Sequence, residues 1–554
     1  MVLLSQHMFA LITTDPDTMN LKEALSGSGR NNFIVAMEKE LGDHVTRKHW
    51  KVIPLKDVPR TKTCLHMVWS MKRKRSPIRG DSKMESPLMC GRPSLCRIYW
   101  LLGHLLPRCL LADNMIGIHV GHRQRLVYPF DWFRDGIPPS RHQDGHIYAS
   151  SPSTKFLQDS WLAILCWPIY KGLQINQNLY GLKDAGRTWN THLKTALFAR
   201  GWVQSSIDEC LFTKQGLLLI RYVDDACLIS QSQSKILQEI SSLQKDFDLT
   251  DEGPLRDYLE TRFDRKPDGS GILTQPLMID RAIDIVGLHH PDSRVKMHDT
   301  PAVDVLHSNP SLKKKCQKWN YCSAVGCLSY IQAMVSPDIT FAVRQCARFC
   351  NDPSTDHEEA VKRICHYLLS TRDKGLTLKP IKTKGLECYA DADWAGSWTL
   401  SSSLDPISTC SCTGFVITYA GCPILWKSKI QSLTALSTTE AEYIALSAVL
   451  REVIGIIHLL QDLKNNGLPI IGTTPKICCR TFEDNKSCIA LATNHRTRPR
   501  TKHLSIRLHH FRSFVVNKII SVEYVSTTEQ IADIFTKPLA KPQFCKLRDK
   551  LMSW

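Results

Sequence analysis

The sequence predicts a multidomain chain that mixes α/β and α+β classes, and three observations carry that reading. The first is length: 554 residues exceed what one hydrophobic core usually organises, and a 43% hydrophobic content can fill several. The second is a pair of apolar runs, Leu217-Leu218-Leu219-Ile220 and Ala226-Cys227-Leu228-Ile229, on either side of Tyr222-Val223-Asp224-Asp225. Two short β-rich runs about a two-residue turn read as a hairpin, here with adjacent carboxylates at its tip. The third is the order of segments after residue 384, where strand and helix patterns mix as in an α/β domain with a mixed sheet.

Taken in order, residues 33–41 have helical spacing, residues 50–55 read as a short strand and turn, and residues 67–75 as a strand ending in Lys72-Arg73-Lys74-Arg75. That basic run suits a solvated surface cluster or a nuclear-import-like patch. From Ser76 to about Gly172 the character changes. Pro, Arg, His and Cys accumulate, and neither helical nor alternating periodicity persists. Order returns with an amphipathic stretch to Trp202, the run Asp208-Glu209-Cys210-Leu211-Phe212, the hairpin, and a helical segment at 236–247. Further amphipathic segments lie at 321–334, 339–349 and 358–369, the last opening after Pro353-Ser354-Thr355-Asp356.

The C-terminal part begins with a strand over 386–390 leading into Asp391. Strands at 413–419 and 424–427 follow, joined by the turn Ala420-Gly421. A long helix over 438–463 takes Ser437 or Thr438 as its N-cap. A strand over 477–482 delivers Asp484, a helix starts at Lys486, and residues 503–516, 519–525 and 529–537 supply helix, strand and helix.

The formal net charge is +18, which fits a polyanionic partner, nucleic acid being the commonest. The 21 cysteines include no CxxC pair and no regular spacing, so neither a disulfide framework nor a structural zinc site follows, and reduced intracellular thiols are expected. The apolar stretches are broken by charge, so no membrane span is expected. The adjacent carboxylates of the hairpin repel each other. Divalent cations that clamp a phosphoryl group in transfer would neutralise them, and a solvated turn is the alternative.

Several blocks together resemble the reverse transcriptase–ribonuclease H part of copia-type (pseudovirus-like) LTR retrotransposon polyproteins. They are Asn178-Leu179-Tyr180-Gly181-Leu182-Lys183-Asp184-Ala185-Gly186-Arg187-Thr188-Trp189, the Tyr222–Asp225 hairpin, and Ser336-Pro337-Asp338-Ile339-Thr340-Phe341-Ala342-Val343. After them come Tyr389-Ala390-Asp391-Ala392-Asp393-Trp394-Ala395-Gly396, Ser437-Thr438-Thr439-Glu440-Ala441-Glu442-Tyr443, Glu483-Asp484-Asn485-Lys486-Ser487 and Ala532-Asp533-Ile534-Phe535-Thr536-Lys537-Pro538-Leu539.

The resemblance implies a partial right-hand polymerase (fingers and palm) followed by a ribonuclease H-like mixed-sheet domain. Its divisions are partial fingers over 18–75, an aberrant segment over 76–172, palm and thumb over 173–290, a helical connection over 291–383, the ribonuclease H-like domain over 384–540, and a tail over 541–554. It also implies two-metal Mg²⁺ chemistry on an RNA–DNA hybrid and on an RNA template with a DNA primer, with no membrane partner. An intracellular location is expected, in cytoplasm, virus-like particle or nucleus. In the polymerase, Asp224 and Asp225 would hold metal and be catalytic, and the basic run at 72–75 would hold the incoming triphosphate. In the nuclease that part falls to Asp391, Glu440, Asp484 and Asp533, while Glu442 and Asp393, two positions from their partners, are expected to point elsewhere. Lys183 and Arg187 would contact template and nucleotide, or be surface charge. Arg500, Lys502 and Arg507, with Arg496 and Arg498, would track a hybrid backbone or solvate a loop.

Two departures stand out. Glu260 occupies a position where the family has Gly after Leu. The family's first catalytic Asp, expected within 76–172 on a strand entering a helix, is missing, because Asp131 and Asp135 lie beside Gly136 and Pro138-Pro139. With suitable synonymous codons, shifting Phe133–Ser150 by one nucleotide restores a run that resembles the family's block, so residues 76–172 read as frame-shifted or disordered. Trp132 then yields Gly where the Asp belongs. The competing readings are an inactive relic and a non-catalytic nucleic-acid-binding protein.

Overall fold

The computed structural model describes residues 185–223, 225–288, 297–308, 319–400, 407–470, 476–493 and 510–554, together with short strand and helix segments before residue 176. Those early segments include a strand at Trp50–Pro54 paired antiparallel with Lys171–Ile175. Another, Met71–Arg75, carries the basic run.

The hairpin expected around Tyr222 forms the middle of a six-stranded sheet. Its elements are β1 (Asn114–Gly121), β2 (Val203–Gln204), β3 (Leu211–Lys214), β4 (Leu217–Tyr222), β5 (Asp225–Ser230) and β6 (Asp248–Pro254), in the order β6-β1-β5-β4-β3-β2. Helices α1 (Ala185–Ala199) and α2 (Gln233–Leu243) lie on one face. The side chains alternate: Leu217, Leu219, Ala226 and Leu228 pack against Trp189, Leu193, Ile236 and Ile240, whereas Leu218, Ile220, Cys227 and Ile229 enter a second core on the other face. A sheet covered on both faces reads as continuous apolar runs, which is why the two runs do not alternate in polarity. Strand β1 lies within the segment that lacks persistent periodicity in the sequence.

A four-stranded sheet follows, in the order β7 (Asp257–Tyr258), β8 (Thr261–Arg265), β9 (Gly271–Thr274) and β10 (Leu376–Leu378). Tyr258 pairs with Thr261, leaving Leu259 and Glu260 as the turn, with φ of 51° and 57°. Both central residues of such a turn need positive φ, so the position of Glu260 is one that glycine occupies without strain. The Tyr330 hydroxyl holds the turn by donating to the Leu259 carbonyl at 2.7 Å. Between β9 and β10 lie α3 (Pro276–Ile285), which the sequence reading did not mark, and α4 (Tyr321–Met334), α5 (Thr340–Ala347) and α6 (Thr355–Thr371), which fall on the three amphipathic segments of the sequence.

The C-terminal sheet contains β11 (Leu386–Asp393), β12 (Cys412–Tyr419), β13 (Cys422–Ile430), β14 (Cys479–Glu483) and β15 (Ile520–Tyr524), in the order β13-β12-β11-β14-β15. The first three strands are antiparallel, and β11, β14 and β15 run parallel, so the sheet is mixed. Helix α7 (Thr438–Asn465) crosses it, and α8 (Lys486–Thr493), a helical stretch over 510–516 and α9 (Lys541–Met552) follow. The helix expected over 529–537 is instead a pair of 3-10 turns, Thr527–Glu529 and Ile531–Phe535. The expectation for apolar stretches is corrected at α7. By length and composition it could cross a membrane, but Leu446, Val449, Leu450, Val453 and Leu460 are buried in the core.

Candidate metal centre

Four elements of the C-terminal sheet deliver acidic groups to one place. Strand β11 carries Asp391 near its end, at 2% exposure. The parallel neighbour β14 ends at Glu483, also buried, and Asp484 follows it half-buried. Helix α7 contributes Glu442 from its first two turns, and the Ile531–Phe535 turn contributes Asp533, both buried. The supports are polar contacts between elements. Gln530 Nε2 donates to the Ala390 carbonyl at 2.8 Å and fastens the Asp533 turn to β11. Gln431 Nε2 donates to the Ala441 carbonyl at 2.9 Å and fixes the start of α7. Ala392, Ala435, Ala441 and Ala445 pack together, and their small side chains let helix and strand approach closely.

Carboxylate oxygens of Asp391, Glu442 and Asp484 lie within 4.8 Å of one another. Glu440 is not among them. The Ser437 hydroxyl accepts from the Glu440 N–H at 3.2 Å, and the Glu440 carboxylate accepts from the Leu436 N–H at 2.9 Å. These bonds hold Glu440 at the rim of the helix, and the structure brings Glu442, rather than the expected Glu440, to Asp391 and Asp484; the Glu442 carboxylate also accepts from the Ala392 N–H. Asp393 is corrected too. On a strand, residues two apart share a face, so Asp393 lies on the same side as Asp391, and burial raises it above its ordinary range.

The electrostatics are those of crowded, dehydrated acids. Burial and then Asp391, Glu483 and Asp484 push Glu442 far above the usual carboxylate range. Burial raises Asp391 as well, against the pull of Lys537 and the Thr536 hydroxyl, which donates to Asp391 Oδ2. Burial and Asp391 push Asp533 up to about 7. Lys537, which the sequence reading did not single out, places Nζ 2.9 Å from Asp533 Oδ1 and 3.9 Å from Asp391 Oδ2. Glu442 Oε2 and Glu483 Oε2 are buried with no hydrogen-bond partner among the described residues. Orphaned, all-oxygen donors of this kind fit a hard divalent cation such as Mg²⁺.

The polymerase-side residues are placed differently. Tyr222 pairs with Asp225, so the hairpin turn is Val223 and Asp224, and Asp224 itself lies outside the described residues. Val223 has φ 53°, a strained value for a β-branched residue, and its carbonyl accepts from Trp189 Nε1 at 3.1 Å. Asp225 lies directly across from His119 of β1. That strand, Asn-Met-Ile-Gly-Ile-His-Val-Gly, contains no acidic residue. Arg187 is exposed on α1, while Lys183, Arg500, Lys502 and Arg507 lie outside the described residues.

Comparison with known proteins decides the family. The family model described as reverse transcriptase (RNA-dependent DNA polymerase) matches residues 169–293. The "Retrovirus-related Pol polyprotein from transposon TNT 1-94" of Nicotiana tabacum is 28% identical over 97% of this chain. The chain is a homologue of copia-type transposon Pol polyproteins. The Pol polyprotein of Arabidopsis thaliana transposon RE1 is 31% identical over 68% of the chain. The chain spans 39% of the length of the first of these relatives and 25% of the second. Among solved structures, a foamy viral protease-reverse transcriptase in complex with dsDNA overlaps 89% of the chain at 11% identity and a TM-score of 0.44.

Proposed function

We propose that the C-terminal unit of this Pol polyprotein homologue is a divalent-metal-dependent ribonuclease H that cuts the RNA strand of an RNA–DNA hybrid, joined to a polymerase unit that lacks a complete catalytic centre. The observation that carries the nuclease reading is the convergence of Asp391, Glu442 and Asp484, with Asp533 beside them. These residues would hold the ions, which supply charge neutralisation at the scissile phosphate and an activated water. The protein's own part is to fix the carboxylates on four separate elements, keep water away from Asp391, and orient Asp391 through the Thr536 hydroxyl. Asp484 stays half-exposed and accepts from the Thr527 hydroxyl at 2.7 Å, which leaves the cluster reachable from solvent on that side.

The reading of the polymerase unit rests on the strand beside Asp225. A two-metal polymerase needs a carboxylate bridging both ions, and β1 has none to offer. The test is incubation of the full chain with a labelled RNA–DNA hybrid and Mg²⁺, beside an Asp484→Asn control. Cleavage of the RNA strand by the parent alone is expected. The same preparation, given a primed RNA template and nucleotides, is expected to show no extension. A soluble, folded parent that binds hybrid in a salt-sensitive way but never cuts it would replace the nuclease with a binding protein. Efficient extension would overturn the polymerase reading.

A further inference from the structure

The acid cluster divides around Asp391. Glu442 faces Asp391, Glu483 and Asp484, whereas the carboxylates facing Lys537 are Asp391, Asp533 and Asp393. The first group offers three oxygens, from Asp391, Glu442 and Asp484, within 4.8 Å of one another. The second already contains a cation, because the Lys537 ammonium sits 2.9 Å from Asp533 and 3.9 Å from Asp391. Two dehydrated carboxylates that close together repel unless a positive charge stands between them. Lys537 supplies it from within the fold. It is well placed to leave, too. Its side chain is 33% exposed, it follows the Ile531–Phe535 turn, and a lysine stem is long and flexible.

We infer that Lys537 is a resident counter-ion that occupies the Asp391–Asp533 half of the cluster and must swing out before a second divalent cation can bind there. The inference rests on the metal-dependent reading of the same cluster. It implies ordered loading. The first ion enters at Asp391, Glu442 and Asp484 with little rearrangement. The second competes with the ammonium and binds more weakly for that reason, and Asp391 serves both positions.

The experiment uses the full chain without nucleic acid, so that no turnover is involved. Lys537 is followed by amine-specific reductive methylation and mass spectrometry as Mg²⁺ or Mn²⁺ is raised, and ion binding is followed by calorimetry. Without ions Lys537 is expected to be labelled slowly, and at saturating ion several-fold faster. In Lys537→Gln the weaker ion-binding step is expected to tighten by roughly tenfold or more, the scale for removing one competing charge at partly screened distance. Lys537→Arg keeps the charge and is expected to behave as the parent. Labelling that ignores the ions, or a Lys537→Gln isotherm that overlays the parent's, overturns the inference while leaving the metal site standing. Absence of ion binding in both parent and Lys537→Gln overturns the metal reading and this inference together. The labelling arm needs no variant, so misfolding of Lys537→Gln cannot decide the matter.

Discussion

At the residue scale, Glu440 and Glu442 lie within one turn of helix, the first held at the cap and the second in the acid cluster. Glu440→Ala removes the side chain that accepts from Leu436 N–H, so it is expected to lower stability by about 0.5–2 kcal/mol, the range for a lost helix cap, with ion affinity unchanged. Glu442→Gln is expected to do the reverse. A buried carboxylate held among Asp391, Glu483 and Asp484 destabilises the ion-free fold, so the neutral amide raises its melting temperature and abolishes the stabilisation that Mg²⁺ gives the parent. Thermal melts of both variants with and without Mg²⁺ check this, and a Glu440→Ala chain that lost its Mg²⁺ response would reverse the assignment. The sequence held the clue to the distinction. Ser437-x-x-Glu440 is a capping-box spacing, which marks Glu440 as a helix-start residue, while Glu442 carries no local signature and is selected only by the strands it meets. Lys537 was legible in part, as a base four residues after Asp533. Its contact with Asp391 crosses 146 positions of sequence and no spacing rule reaches that far.

At the scale of elements, most of the C-terminal sheet was readable, because each strand and helix there keeps its own periodicity and turn chemistry. The exception is the segment carrying Asp533, expected as a helix and found as 3-10 turns. The reason is packing against β12. A Cβ on Gly414 would stand 2.6 Å from Thr536 Cγ2 and 2.8 Å from Phe535 Cβ, so strand and turn touch with no room for a side chain. The turn is shaped by that contact rather than by its own helical preference. Gly414→Ala is therefore expected to push the turn off the strand, and with it the Thr536 hydroxyl and Asp533 that border Asp391. The expected cost is about 1–3 kcal/mol of stability, as for overpacking a dense interior. Hybrid cleavage is expected to fall by more than the loss of folded protein explains. Activity per folded molecule, with the folded fraction taken from circular dichroism, is the measurement, and full specific activity would show that the close approach does not position the acids.

At the scale of the whole molecule, the polymerase-side sheet, the connecting helices and the C-terminal sheet share one apolar core, running from Leu218 and Ile229 through Leu328 and Ile364 to Phe415, Leu450 and Leu551. Polar ties cross the same seam. Trp426 Nε1 donates to the Gln332 carbonyl at 2.9 Å, and Arg344 Nε donates to Ser428 Oγ at 2.8 Å. The six-stranded sheet around Tyr222 thus forms a wall of the same core that the C-terminal sheet occupies. Asp338 sits in the connecting segment, buried, accepting from the Tyr367 hydroxyl, with Arg548 of α9 close enough to draw its charge. Burial pushes it from the ordinary 3.8 up to about 6 despite Tyr367 and Arg548. The folded state therefore holds this proton more tightly than the unfolded chain does. Its contribution to stability is fully present below about pH 4 and is lost as pH rises toward 6, a change of about 2–3 kcal/mol. Asp338→Asn keeps an oxygen for Tyr367 but carries no titrating proton, so its stability is expected to lack that downward component between pH 4 and 6. It should also exceed the parent's at pH 7. Because the two sheets share a core, the difference is expected in one transition common to tryptophan fluorescence and far-ultraviolet circular dichroism. Parallel pH profiles for parent and variant would show that Asp338 ionises in place without cost. A shift confined to one of two separate transitions would show that the shared core does not couple the two units.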